Sequence, residues 1–327
     1  MHRRAFVRTA AGAAGIAAAG RTGWAEPVRS ARDVSTSTPL TTGVFHTSRR
    51  FTRTRFGNIA HVERGSGPAA LFIHGYPLNG FQWRGALERL AAHRRCLAPD
   101  LLGLGYTETP AEQSLAPTIQ ATMLVEWLDA LGVDAVDVVA NDSGGAIAQL
   151  LVAHHAGRVR SLLLTNCDVH ENSPPAALGP VIAQARAGVL ADEFLVPQLR
   201  DPARARASEG LGGLAYTSPA NLTDDAITCY FAPLVGTPIR RAQFNRYAAD
   251  FAPNPLLAIE PVLRRSTVPA RMLWGTGDFL FDAAWADWLD RALPRSRGVR
   301  RIEGAKLFFP EEMPDVVAEE ARLLWGV

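Results

Sequence analysis

The chain has 327 residues, 47% of them hydrophobic and 20% charged, a balance that suits a water-soluble globular protein with room for one α/β domain carrying an insertion, or for two small domains. Its formal net charge of +2 depends on the first 25 residues, which hold four arginines and no acid; without them 30 basic residues face 32 acidic ones, and nothing favours nucleic acid as a partner. Cys96, Cys167 and Cys229 are far apart, with no CxxC pair and no metal-ligand spacing, so neither a disulfide framework nor a metal or other cofactor is expected.

Residues 1–25 do not belong to the fold that follows. Arg3-Arg4-Ala5-Phe6-Val7-Arg8 has the form of a twin-arginine signal, Thr9 to Gly20 is a small, weakly apolar run, and Gly23-Trp24-Ala25 offers a small-x-Ala cleavage site. The run is too short and too rich in Ala and Gly to span a membrane. Export in a folded state, to the periplasm or beyond, is the expectation, with an uncleaved membrane tether as the alternative. Residues 26–50 are Ser/Thr-rich and aperiodic and read as a linker or loosely packed arm. Phe51 to Glu63 predicts a hairpin turning at Gly57-Asn58, and Ala69 to Ile73 predicts a buried strand running directly into His74-Gly75-Tyr76-Pro77. Leu97-Ala98-Pro99-Asp100 ends another strand, and the spacing of Ile119, Met123, Trp127 and Leu131 predicts a helix closed by Gly132.

The stretch Ala135–Ala153 organises the rest. Val136, Val138 and Val139 suit a buried parallel strand, small residues follow at Ala140, Gly144 and Gly145, and Ala146 onwards reads as a helix with Ile147, Leu150 and Leu151 on one face. Strand, sharp turn and helix in this order, with small-x-nucleophile-x-small at the turn, resemble the nucleophile elbow of the α/β-hydrolase superfamily. Two registers are open. With Asp142 as nucleophile, Ala140 and Gly144 supply the small ends and Gly144-Gly145-Ala146 opens the helix; with Ser143, Asn141 falls where a small residue belongs. The first fits better and implies attack on carbon, in an epoxide or a carbon–halogen bond, through an alkyl ester on the enzyme.

The resemblance extends over residues 51–327 and implies an α/β-hydrolase fold: a mostly parallel, doubly wound sheet formed by residues 51–172 and 261–327, with a helical cap inserted at 173–260. In the His74-Gly75-Tyr76-Pro77 motif, the backbone N–H of Tyr76, together with that of Ser143, is implied as the donor pair of the oxyanion or leaving-group site, and His74 as the residue that shapes the loop. Asp278, in Trp274-Gly275-Thr276-Gly277-Asp278, matches the family's acid. Asp168, after the strand Val159–Thr165, is an alternative acid, and Asp282 is either a partner of Asp278 or a helix cap. Trp83 and the cap tyrosines Tyr230 and Tyr247 are candidate substrate contacts. One element of the pattern is missing. The loop after the last strand, where the family presents its catalytic His, reads Gly304-Ala305-Lys306-Leu307-Phe308-Phe309-Pro310, and no His follows His170 anywhere. Leu307 therefore takes the place of the base. Either His170 comes in from the rim, or paired carboxylates activate water, or hydrolysis has been given up in favour of binding or His-free proton transfer. The expected partner is a small apolar molecule, attacked in the manner of an epoxide hydrolase or haloalkane dehalogenase.

Overall fold

A computed structural model describes residues 39–327; the predicted signal at 1–25 and the first part of the predicted arm lie outside the described residues. Eight strands, β1 (Arg50–Thr54), β2 (Gly57–Arg64), β3 (Ala69–Ile73), β4 (Arg95–Pro99), β5 (Val136–Asp142), β6 (Val159–Cys167), β7 (Ala270–Gly275) and β8 (Ser296–Ile302), form one sheet. Their spatial order is β1-β2-β4-β3-β5-β6-β7-β8. The pairs β1–β2 and β2–β4 are antiparallel, and all later neighbours are parallel. Every residue of β3 and β5 is buried, which is why β3 reads as a continuous apolar run instead of an alternating one.

This is the α/β-hydrolase architecture expected from the motifs. Because β3, β5, β6, β7 and β8 run side by side in one direction, the loops that leave their C-terminal ends gather along one edge of the sheet, where open α/β sheets place ligands. Between β6 and β7 the strands stop. Helices take over, among them Gly179–Arg186, Asp224–Val235 and Pro238–Ala249, in the stretch where the cap was expected. No helix among the described residues is long and apolar enough to cross a membrane, and the three cysteines are buried and unpaired.

Two local expectations are corrected. The hairpin turns at Arg55-Phe56, because Gly57 already pairs with Thr54. Gly57 answers a different need, since at φ +139° a Cβ there would lie 2.2 Å from the carbonyl oxygen of Glu108. The arm is also not loose throughout. Residues Thr42–Thr47 form a helix whose N-cap, Thr41, accepts from the Val44 N–H. This helix seats Phe45 edge-on against Phe81, with ring centroids 5.3 Å apart.

Candidate active site

Asp142 is the last residue of β5, and Ser143 is the first of the helix Ser143–His154. The positive φ, 55°, falls on Asp142, a conformation that non-glycine residues adopt only where the surroundings enforce it. The enforcement comes from the motif after β3. The N–H of Tyr76 donates to Asp142 Oδ2 at 2.7 Å, and the N–H of Ser143, at the start of the helix, favours the charged carboxylate. Burial raises the Asp142 pKa to about 7; the N–H groups of Tyr76 and Ser143 oppose that rise, and the charge of Asp278 adds to it.

His74 sets the direction of the first donor. Its Nε2 accepts from the Leu101 N–H at 3.0 Å, so Nδ1 carries the proton and bonds the Gly75 carbonyl at 2.9 Å. That carbonyl belongs to the same peptide unit as the Tyr76 N–H. With the peptide planar and trans, fixing the C=O aims the N–H the opposite way, at Asp142. Burial holds the imidazole pKa down, against the charge of Asp100 and the bond to Gly75. His74 thus acts as a neutral brace, as its motif implies. Gly75 has no room for a side chain: a Cβ would lie 2.3 Å from Asp142 Oδ2. Gly75→Ala is therefore expected to displace the donor loop and to destabilise the fold by about 1–3 kcal/mol; a urea midpoint equal to wild type would refute the contact.

A cavity of about 300 Å³ opens over Asp142 and Tyr76, with Leu307, Phe308, Phe279 and Phe194 among its walls. Among the described residues the only other polar side chain on it is Gln184, and no cationic side chain, histidine or tryptophan lines it. Leu307 is 4% exposed, and its side chain gives the cavity a hydrocarbon surface at this point.

The other candidates separate into neighbours of this site and residues with work elsewhere. Asp278 is a neighbour. It accepts from Leu280 N–H and Asn166 Nδ2, both at 2.9 Å, and burial lifts its pKa to about 6 against these bonds. Asp168 follows Cys167, the β6 residue in register with Asp142. Burial, with the charge of Asp142 second, pushes its pKa well up. Tyr247 reaches Ser143 Oγ at 3.3 Å and stacks on Tyr76; its phenol is likewise raised, by burial above all. Neither Asp168 nor Tyr247 is a wall of the cavity.

His170 lies off the cavity: its Nε2 is 2.9 Å from Glu260 Oε2, and its ring stacks on Trp288 with centroids 4.6 Å apart. Nearness in sequence to Asp168 does not bring it to Asp142. Trp83 is fully buried against Phe72 in the core. Tyr230 and Tyr216 donate to Glu311 Oε2 at 3.0 and 2.6 Å while Arg84 donates to Oε1 at 2.6 Å, so Tyr230 fastens cap to core instead of facing substrate. Asp282 is exposed and caps the helix Ala283–Ala292, accepting from the Ala284 N–H at 2.8 Å. Sequence reasoning passed over three buried amides around the site, Gln82, Asn141 and Asn166. Polar side chains within buried runs were the available signal.

Comparison with known proteins places this geometry. The family model described as the alpha/beta hydrolase fold matches residues 68–312. Haloalkane dehalogenase 2 of Mycobacterium tuberculosis is 36% identical over 119 residues, 36% of this chain and 41% of that protein. Epoxide hydrolase 1 of Siraitia grosvenorii is 35% identical over 155 residues, 47% of this chain and 48% of that protein. The chain thus spans less than half the length of either relative. Among solved structures, an alpha/beta hydrolase fold protein from Burkholderia ambifaria superposes with TM-score 0.71 at 22% identity, covering 83% of this chain and 96% of that one. A haloalkane dehalogenase from Bradyrhizobium elkani superposes with TM-score 0.70 at 22% identity, covering 85% and 98%. At that identity the likeness speaks to the fold alone.

Proposed function

The chain belongs to the α/β-hydrolase fold family, and on that premise we propose that it is a hydrolase with Asp142 as nucleophile, acting on a small apolar epoxide or alkyl halide through an alkyl–enzyme ester. The observation that carries this reading is the Asp142 carboxylate, placed on the elbow at an apolar cavity with the Tyr76 N–H on its Oδ2. In the first step a carboxylate oxygen bonds to the electrophilic carbon, and the C–halogen bond breaks with its electron pair leaving on the halide, or the epoxide C–O bond breaks with its electron pair going to the ring oxygen, which takes a proton from water. In the second, water adds to the ester carbonyl and gives one proton to solvent while the Tyr76 and Ser143 N–H groups face the developing oxyanion. The acyl C–O bond to the substrate then breaks, its electron pair and the carboxyl proton going to the departing alcohol, and the Asp142 carboxylate is restored. Ser143 is disfavoured as nucleophile because it is already helical, while the strained apex is Asp142. With no indole N–H on the cavity among the described residues to receive a halide, the epoxide is favoured over the alkyl halide.

The second step lacks its usual base, so the ester is expected to be long-lived. Intact-protein mass spectrometry after incubation with a panel of epoxides and alkyl halides, with Asp142→Ala as control, tests the reading. A mass gain that needs Asp142 supports it. Neither adduct nor product across the panel would sink it in favour of a second reading, a binding or non-hydrolytic member of the fold, which the hydrocarbon surface of Leu307 on the cavity supports. We also propose export of the folded chain, supported by the Arg3-Arg4 run; a variant with both arginines changed to lysine should stay in the cytoplasm, and normal export of that variant would count against the signal.

A further inference from the structure

Between the donor loop and the elbow lies a chain of buried amides that no motif assigns. Gln82, in the short helix Gly80–Trp83, sends Nε2 to Asn141 Oδ1 at 2.6 Å and accepts the Gly75 N–H on Oε1 at 3.3 Å. Asn141, the residue before Asp142, turns its Nδ2 to three acceptors: Thr165 Oγ1 at 2.8 Å, the Leu307 carbonyl at 3.0 Å and the Asn166 carbonyl at 3.1 Å. Gln82 and Asn141 are at most 1% exposed. Together they tie the loop after β3, the elbow after β5, the end of β6 and the loop after β8 to one another, and their amide orientations are set by the bonds themselves.

We infer that Gln82 and Asn141 are positioning residues that hold the Tyr76 N–H on the Asp142 carboxylate and hold the Leu307 backbone against the elbow. Each amide acts through its neighbours and touches no substrate. His74 braces the Gly75 carbonyl and Gln82 braces the Gly75 N–H, so the two peptide units that lead into Tyr76 are gripped from both sides. Breaking the link at Gln82 leaves Asn141 Oδ1 and the Gly75 N–H buried without partners. The donor loop then relaxes, and Tyr76 N–H moves off Asp142. Displacements well under 1 Å at such a donor are enough to slow a reaction.

The test is Gln82→Met, which keeps the length of the side chain and removes both bonds. Two quantities are read. The first is the Asp142 titration, followed by carboxyl-¹³C NMR of aspartate-labelled protein and assigned with Asp142→Asn. The second is the rate of mass gain with the best electrophile of the panel. The expected results are an upward move of the titration, because a bond that favours the charged form has been weakened, and alkylation slowed roughly 10- to 100-fold. The inference about rate rests on the nucleophile reading above; the titration does not, so a protein that forms no ester still answers the question. A folded Gln82→Met protein whose Asp142 titrates as in wild type overturns the inference. If that variant does not fold, amide hydrogen exchange in wild type decides: the Gly75 N–H is expected to exchange as slowly as that of Ile73 in β3, and exchange at the rate of an open loop overturns it.

Discussion

Leu307→His is expected to shorten the life of the alkyl–enzyme ester by roughly 10²–10⁴-fold, the ordinary worth of a positioned general base. The reasons are geometric. The Leu307 side chain is already a wall of the cavity that Asp142 faces, so an imidazole there looks onto the ester. Its backbone is anchored by the bond from Asn141 to the Leu307 carbonyl, so the substitution asks nothing of the loop. Asp278 follows β7, the strand beside β8, and is held by Asn166 and the Leu280 N–H, so on the reading proposed above it would stand as the acid that orients the new imidazole. A polar ring on a hydrocarbon wall should cost about 1–3 kcal/mol of stability, which urea unfolding would register. The decisive measurement is the decay of the adduct mass, once excess electrophile is removed, in wild type and variant side by side. Equal decay rates would mean that the second step does not depend on a base at this position, and attention would pass to the carboxyls Asp278 and Asp168.

The elements that sequence reasoning placed correctly are those whose local chemistry is repeated by their tertiary role. The run from Val136 to Ala153 needs a buried strand, a tight turn and a helix, and the sheet supplies all three. The strand Ala69–Ile73 was legible to the residue, because a five-residue apolar run bounded by Gly-Pro and His-Gly admits little else. What failed depended on direction in space. Trp83 and Tyr230 have the bulk of substrate contacts, but they face the core and Glu311 respectively. His170 sits two residues beyond Asp168 and still belongs to a surface cluster with Glu260 and Trp288. The helix Thr42–Thr47 was hidden because its stability comes from Phe45 docking on Phe81, a contact that no periodicity in a six-residue helix announces. The amides Gln82 and Asn141 were illegible for a related reason, since their value lies in partners 59 and 166 residues away.

Asp142→Asn should abolish the mass gain and at the same time stabilise the protein, by an amount that grows with pH. The side chain keeps an oxygen to accept the Tyr76 N–H, but it can no longer attack carbon. The stability effect follows from the pKa near 7 in the folded state against an ordinary value of 3.8. Below about pH 3 the carboxyl is protonated folded and unfolded alike, and wild type and variant should unfold together. Between 4 and 7 the unfolded chain ionises while the folded one resists, so wild type loses stability as pH rises. Above 7 the penalty is complete and amounts to at most about 4 kcal/mol. Urea unfolding at pH 3 and pH 8 should therefore show the variant's advantage only at the higher pH. Alkylation of wild type by a neutral epoxide should rise across the same range, half-maximal near pH 7 and about tenfold slower for each unit below it, because only the ionised carboxylate attacks. The same pKa governs both curves with opposite sign: the charge that makes Asp142 a nucleophile is the charge that weakens the fold. An alkylation profile flat from pH 5 to 8, or a variant no more stable than wild type at pH 8, would show that Asp142 is not held neutral by its burial.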